Sequence, residues 1–106
     1  MKQLLAAKMT SNGDANAQTA ARAITVSNML GLHARPATLV AKAAMGFDSK
    51  VVLEKGDQRV NARNVWDLLL LGAEQGEQLT IRATGDDAEA AVAAIEALFK
   101  QKFNED

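Results

Sequence analysis

The 106-residue chain has no cysteine. Disulfides, a thiol nucleophile and cysteine-based zinc sites are therefore excluded. It has a single histidine, so a histidine-rich metal site is excluded as well, while carboxylate-only sites stay formally open. There is no tyrosine, one tryptophan and three phenylalanines, and the formal net charge is −1. A nucleic-acid binder would carry a basic stripe and aromatic platforms for base stacking, and both are missing. No apolar run approaches a membrane span; the cluster Leu68, Leu69, Leu70 and Leu71 is far too short. Leu4-Leu5-Ala6-Ala7 is likewise too short for the apolar core of a signal peptide. No glycine-rich nucleotide loop ending in Lys-Ser or Lys-Thr occurs, and nothing in the sequence calls for a cofactor or metal. The length suits one domain with its own core, and the composition fits a soluble, cytoplasmic protein.

The only histidine and the only proline stand together, in Gly31-Leu32-His33-Ala34-Arg35-Pro36-Ala37. Gly31 can turn the chain through angles closed to other residues. Pro36 suits the first turn of a helix, where a missing N–H costs nothing. Leu39, Val40, Ala43 and Ala44 then repeat at helical spacing. His33 is thus expected at or just before a helix N-terminus, where free N–H groups and the positive dipole end favour an anion. Arg35 adds a guanidinium that matches phosphate oxygens. The combination points to a histidine that takes a phosphoryl group on a ring nitrogen.

Residues 1–21 are poor in apolar pattern and read as a flexible extension, leaving residues 22–106 as the domain. The first strand is expected over 23–28, with Ile24 and Val26 inward. Met29, Leu30 and Leu32 are apolar residues in the following loop. They either cap the core or ring His33 with a docking surface. A helix over about 34–45 is expected to end at Gly46 as its C′ residue. Strands over 50–55 and 58–62 flank a turn at Gly56-Asp57. Asn64 then caps a short helix to Leu71. Val65, Trp66, Leu68, Leu69, Leu70 and Leu71 are too many apolar residues for one buried stripe, so some are expected at the surface, Trp66 first among them. A strand over 78–84 leads to Asp86 as N-cap with Glu89 three positions on. The last helix runs to about 100–102 along Ala88, Ala91, Val92, Ile95, Leu98 and Phe99. Phe103 closes over its end, and a polar tail follows.

The order β-α-β-β-α-β-α predicts an α+β fold, a four-stranded sheet with three helices on one face and the other face open. Thr25, Ser27, Val52, Glu54, Thr80 and Arg82 are the expected open face.

In that context the seven-residue motif resembles the active-site signature of HPr, the histidine phosphocarrier family of bacterial phosphotransferase systems, whose fold is an open-faced β-sandwich. The resemblance covers about residues 22–106. Asn28-Met29-Leu30-Gly31-Leu32-His33, Gly46-Phe47-Asp48 and the ending Ala97-Leu98-Phe99-Lys100-Gln101-Lys102-Phe103-Asn104-Glu105-Asp106 are similar to the nitrogen-related branch of that family, NPr. The resemblance implies that His33 takes phosphoryl on Nδ1 from an enzyme I-type protein charged from phosphoenolpyruvate and passes it to an EIIA-type protein. Arg35 would steady the group. Met29, Leu30, Leu32, Val65, Trp66, Leu69 and Leu70 would dock both partners. The protein would be a monomeric carrier rather than a free-standing enzyme. A sugar-branch carrier, or a docking module switched by phosphorylation, are the alternatives. Asn64 stands where many family members have a regulatory serine, so serine-type control is not expected there.

Overall fold

The computed structural model describes residues 18–105. Strand β1 (Thr19–Thr25) is followed by helix α1 (Ala34–Met45), the hairpin β2 (Lys50–Lys55) and β3 (Gln58–Asn61), helix α2 (Val65–Leu71), strand β4 (Gln78–Thr84) and helix α3 (Ala88–Lys100). A 3₁₀ turn, Lys102–Asn104, closes the described chain. The sheet is wholly antiparallel in the order β1-β4-β2-β3. This is the expected α+β arrangement, with a four-stranded sheet and three helices.

Alternation along the strands decides which face is covered. Ile24, Val51, Leu53, Leu79, Ile81 and Ala83 are buried under the helices. Thr25 and Arg82 are exposed on the other face, and Val52, Glu54 and Thr80 are half-buried there. The open face is therefore as expected, except at Ser27. That residue lies beyond the end of β1, and its hydroxyl donates to the Phe99 carbonyl at 3.3 Å. Strand β1 itself starts at Thr19, where it pairs with Thr84, rather than at residue 23. Most of the expected N-terminal extension, residues 1–17, lies outside the described residues.

Two helix ends depart from expectation. Gly46 ends α1 at φ −78°, not in the left-handed region. The Gly46 and Phe47 amides instead close tight bonds to the carbonyls of Ala43 and Ala44. At the start of α3 the cap position belongs to Asp87, not Asp86. The Asp87 carboxylate makes no cap bond. It reaches across to the α1–β2 loop and accepts from the amides of Asp48 and Ser49, each at 2.9 Å, and from the Ser49 hydroxyl. Glu89 pairs with Arg22 instead of closing a capping box.

The end of the chain is folded back. Phe103 is fully buried, its ring edge-on to Phe99 at 4.8 Å. Lys102, Phe103 and Asn104 all have left-handed backbone angles, with φ of 53°, 55° and 59°. Each costs an L-residue roughly 1–2 kcal/mol. Burial of Phe103 holds the turn in place and sets Glu105 beside the N-terminus of α1.

Candidate functional site

Gly31 builds the loop before His33. Its φ is +69°, and a Cβ there would fall 2.5 Å from the Ala73 carbonyl oxygen. That close approach lets the Leu32 amide donate to Ala73 at 2.9 Å, which fastens the loop to the segment following α2. Asn28, fully buried, secures the same loop by donating from Nδ2 to the Gly31 carbonyl at 2.7 Å.

His33 takes the N-cap position of α1 with extended backbone, and its carbonyl accepts from the Ala37 amide at 2.9 Å. Pro36, at the third helical position, offers no N–H. The Ala34 and Arg35 amides precede the first bond within the helix, so the helix does not claim them. The imidazole is about one-third exposed, and its Nε2 lies 2.8 Å from Oε1 of Glu105. An ionised carboxylate can only accept, so the Nε2 proton belongs to histidine. In the neutral ring the lone pair is then on Nδ1.

Glu105 holds three side chains at once. Oε1 accepts from Asn28 Nδ2 at 2.9 Å as well as from His33, and Oε2 accepts from Arg35 Nη1 at 3.1 Å. The hydrogen bond from His33 is the main reason its carboxyl is held below the usual value; partial burial works the other way, and Asn28 and Arg35 add to the lowering. Arg35 also donates to the Phe103 carbonyl at 2.7 Å. One nitrogen of the guanidinium, Nη1, is thus held by the chain's own tail. Glu105 and Asn28 carried no signal in the sequence as site residues. The one available hint was Phe103, an apolar residue that had to be buried and so would draw the tail in.

The apolar residues divide. Met29, Leu30, Trp66 and Leu70 are 65%, 70%, 76% and 77% exposed, and Val65 and Leu69 are half-buried. Leu32 is turned the other way, 4% exposed and part of the core. Its neighbour Gly31 reverses the chain between Leu30 and Leu32, which sends the two leucines in opposite directions. At the N-terminus of α2, Asn64 is the cap, accepting from the Asp67 amide at 3.1 Å. Among the described residues no helix is long and apolar enough to cross a membrane, and no group of three metal-ligating side chains comes together.

Comparison with known proteins agrees with this geometry. The family described as the PTS HPr component phosphorylation site matches residues 20–101. The chain is 41% identical over 85 residues to phosphocarrier protein HPr of Treponema pallidum, covering 80% of this chain and 97% of the relative. It is 42% identical over 84 residues to phosphocarrier protein NPr of Shewanella violacea, covering 79% and 92%. The crystal structure of HPr-C-His from Thermoanaerobacter tengcongensis superposes with a TM-score of 0.79 at 38% identity, over 82% of this chain and 98% of that one. The chain belongs to the HPr family, the phosphocarriers of the phosphotransferase system.

Proposed function

We propose that this carrier takes its phosphoryl group on Nδ1 of His33, from an enzyme I-type donor, and gives it to an EIIA-type acceptor in the nitrogen-related branch. The bond from His33 Nε2 to Glu105 carries the reading, because it leaves Nδ1 with the lone pair. That nitrogen attacks the phosphorus in line with the leaving atom of the donor. The N–P bond forms as the donor's bond to phosphorus breaks, and that electron pair leaves with the donor. The Nε2 proton stays in place, and the positive charge gained by the ring faces Glu105. The Ala34 and Arg35 amides and the Arg35 guanidinium supply donors for the new phosphoryl oxygens.

Met29, Leu30, Trp66 and Leu70, with the half-buried Val65 and Leu69, form the proposed docking surface. The loop carrying the first two is tied to the end of α2 through Leu32 and Ala73. One apolar surface beside the histidine serves donor and acceptor in turn, since a carrier meets them at different times.

The nitrogen branch is supported by the loop Asn28-Met29-Leu30 and by the sequence of the tail from Ala97 on, in which Glu105 meets His33 and Arg35. Intact mass after mixing with phosphoenolpyruvate and a nitrogen-branch enzyme I tests the proposal. One acid-labile phosphoryl group, absent in His33→Ala, is expected. Faster charging by a sugar-branch enzyme I in direct competition would move the protein to that branch. No charging by either enzyme would refute the carrier role of His33.

A further inference from the structure

Strand β3 stops at Asn61, opposite Val52, whereas β2 already begins at Lys50. The chain then turns away into α2, with the Arg63 amide donating to Asn61 Oδ1 at 2.9 Å. Where the two strands part they leave an open cleft of about 500 Å³, within the range of small-molecule sites. Lys50, Arg59 and Arg63 line it together with Val52 and Val60, and Asp48 is the one carboxylate on its wall. Three cations against one carboxylate make a positive spot on a chain whose net charge is −1. Two of the cations are also held in place. Arg63 Nη2 donates to the Phe47 carbonyl, and Arg59 Nε pairs with Glu54 Oε2 at 3.0 Å. Each bond leaves the rest of a guanidinium fork for another acceptor, with less freedom to lose on binding. The Lys50 ammonium has no partner among the described residues.

We propose that this cleft is a second ligand site and takes a small phosphate ester. The Arg59 and Arg63 forks receive the phosphoryl oxygens, Lys50 balances the remaining charge, and the organic part lies against Val52 and Val60. The wall carries no aromatic side chain on which a base would stack, which favours a sugar or polyol phosphate over a nucleotide. The site is separate from that of His33, which caps the N-terminus of α1. Asp48 and Lys50 follow the other end of that helix, whose 12 residues span about 18 Å. A free phosphate ester and a phosphoryl group on His33 thus have different places on the carrier, and the inference does not depend on the chemistry of His33.

Amide NMR of the full chain with ribose 5-phosphate tests the site, at constant ionic strength and with ribose and inorganic phosphate as controls. Saturable shifts at Lys50, Val52, Asn61 and Arg63 are expected at low-millimolar ester. Inorganic phosphate should bind about fivefold more weakly, because it makes no use of the valines, and ribose should not bind. K50A and R59A should each weaken binding of the ester about fivefold, the loss of one exposed ionic contact. K50A is the decisive variant: Lys50 ties down no other described residue, so weaker binding there does not come from a damaged cleft. No saturable shift at the four amides overturns the proposal. So do shifts confined to Ala34 and Arg35, which would place the ester at His33, binding by K50A equal to that of the parent chain, or inorganic phosphate binding as tightly as the ester.

Discussion

Glu105 and His33 stand 72 positions apart in the chain and 2.8 Å apart in the fold. The contact places an acceptor against Nε2, and its chemistry sets the tautomer of the ring. In Glu105→Gln the amide can donate or accept, so the preference is lost. Phosphoryl acceptance from enzyme I should slow about tenfold. Imidazole ¹⁵N shifts should show a larger share of the Nδ1–H form. An unchanged tautomer ratio would remove Glu105 from the positioning role.

Arg35→Ala should slow transfer on the order of 10²-fold, the usual cost of one lost donor to developing charge. The final mass should still include one phosphoryl group, since the nucleophile is untouched. Stopped-time mass spectra separate the rate from the end point. A rate equal to that of the parent chain would show that the helix amides alone hold the group.

Gly31→Ala tests the loop geometry. Its left-handed angle alone costs an alanine roughly 1–2 kcal/mol. The new methyl group must also push the Ala73 carbonyl aside, from 2.5 Å. A lower denaturant midpoint and weaker phosphoryl acceptance are expected together, because the Leu32–Ala73 bond that fastens the loop is the one disturbed.

Asp87 links the start of α3 to the α1–β2 loop, and its carboxyl is held low mainly by the Ser49 hydroxyl, then by the Asp48 amide, with a smaller part from the Ser49 amide. A carboxyl with a lowered folded pKa stabilises the fold above its unfolded value, near 3.9 for aspartate, and loses that effect as pH falls through the folded value. Urea midpoints of the parent chain and Asp87→Asn should therefore differ most near neutrality and converge in acid. A gap that stayed constant with pH would mean that the carboxylate's charge plays no part.

What could be read from the sequence was local. His33, Arg35 and Pro36 share one turn, and Asn64 caps the helix it precedes, so each role followed from neighbours. The stripe Ala88, Ala91, Val92, Ile95 and Phe99 was legible because α3 buries a single face. The beginning of β1 was not, since Thr19-Ala20-Ala21-Arg22 has little apolar alternation and only its pairing with β4 makes it a strand. Glu89 three positions on favours Asp86 as the cap on paper; Asp87 takes the position instead, its carboxylate held by amides 38 and 39 positions away. Glu105 looked like one of three polar tail residues, because nothing near it in sequence marks His33 as its partner.

Leu30 and Leu32 give the sharpest division between docking and packing, because they flank Gly31 and differ only in direction. Leu32 is 4% exposed and Leu30 is 70% exposed. Leu32→Ala should lower stability by about 2–5 kcal/mol, the cost of emptying a packed leucine site. Its effect on transfer should follow from loosening of the loop. Leu30→Ala should leave the denaturant midpoint within about 0.5 kcal/mol of the parent chain. It should instead raise the KM for enzyme I and for the acceptor. Trp66→Ala should do the same more strongly, by about 30-fold, the effect of a 2 kcal/mol anchor. The two measurements must be taken on the same preparations, since only the pairing of unchanged stability with raised KM marks a docking residue. If Leu30→Ala and Trp66→Ala leave both KM values where they were, the exposed patch beside His33 is not the surface on which its partners meet.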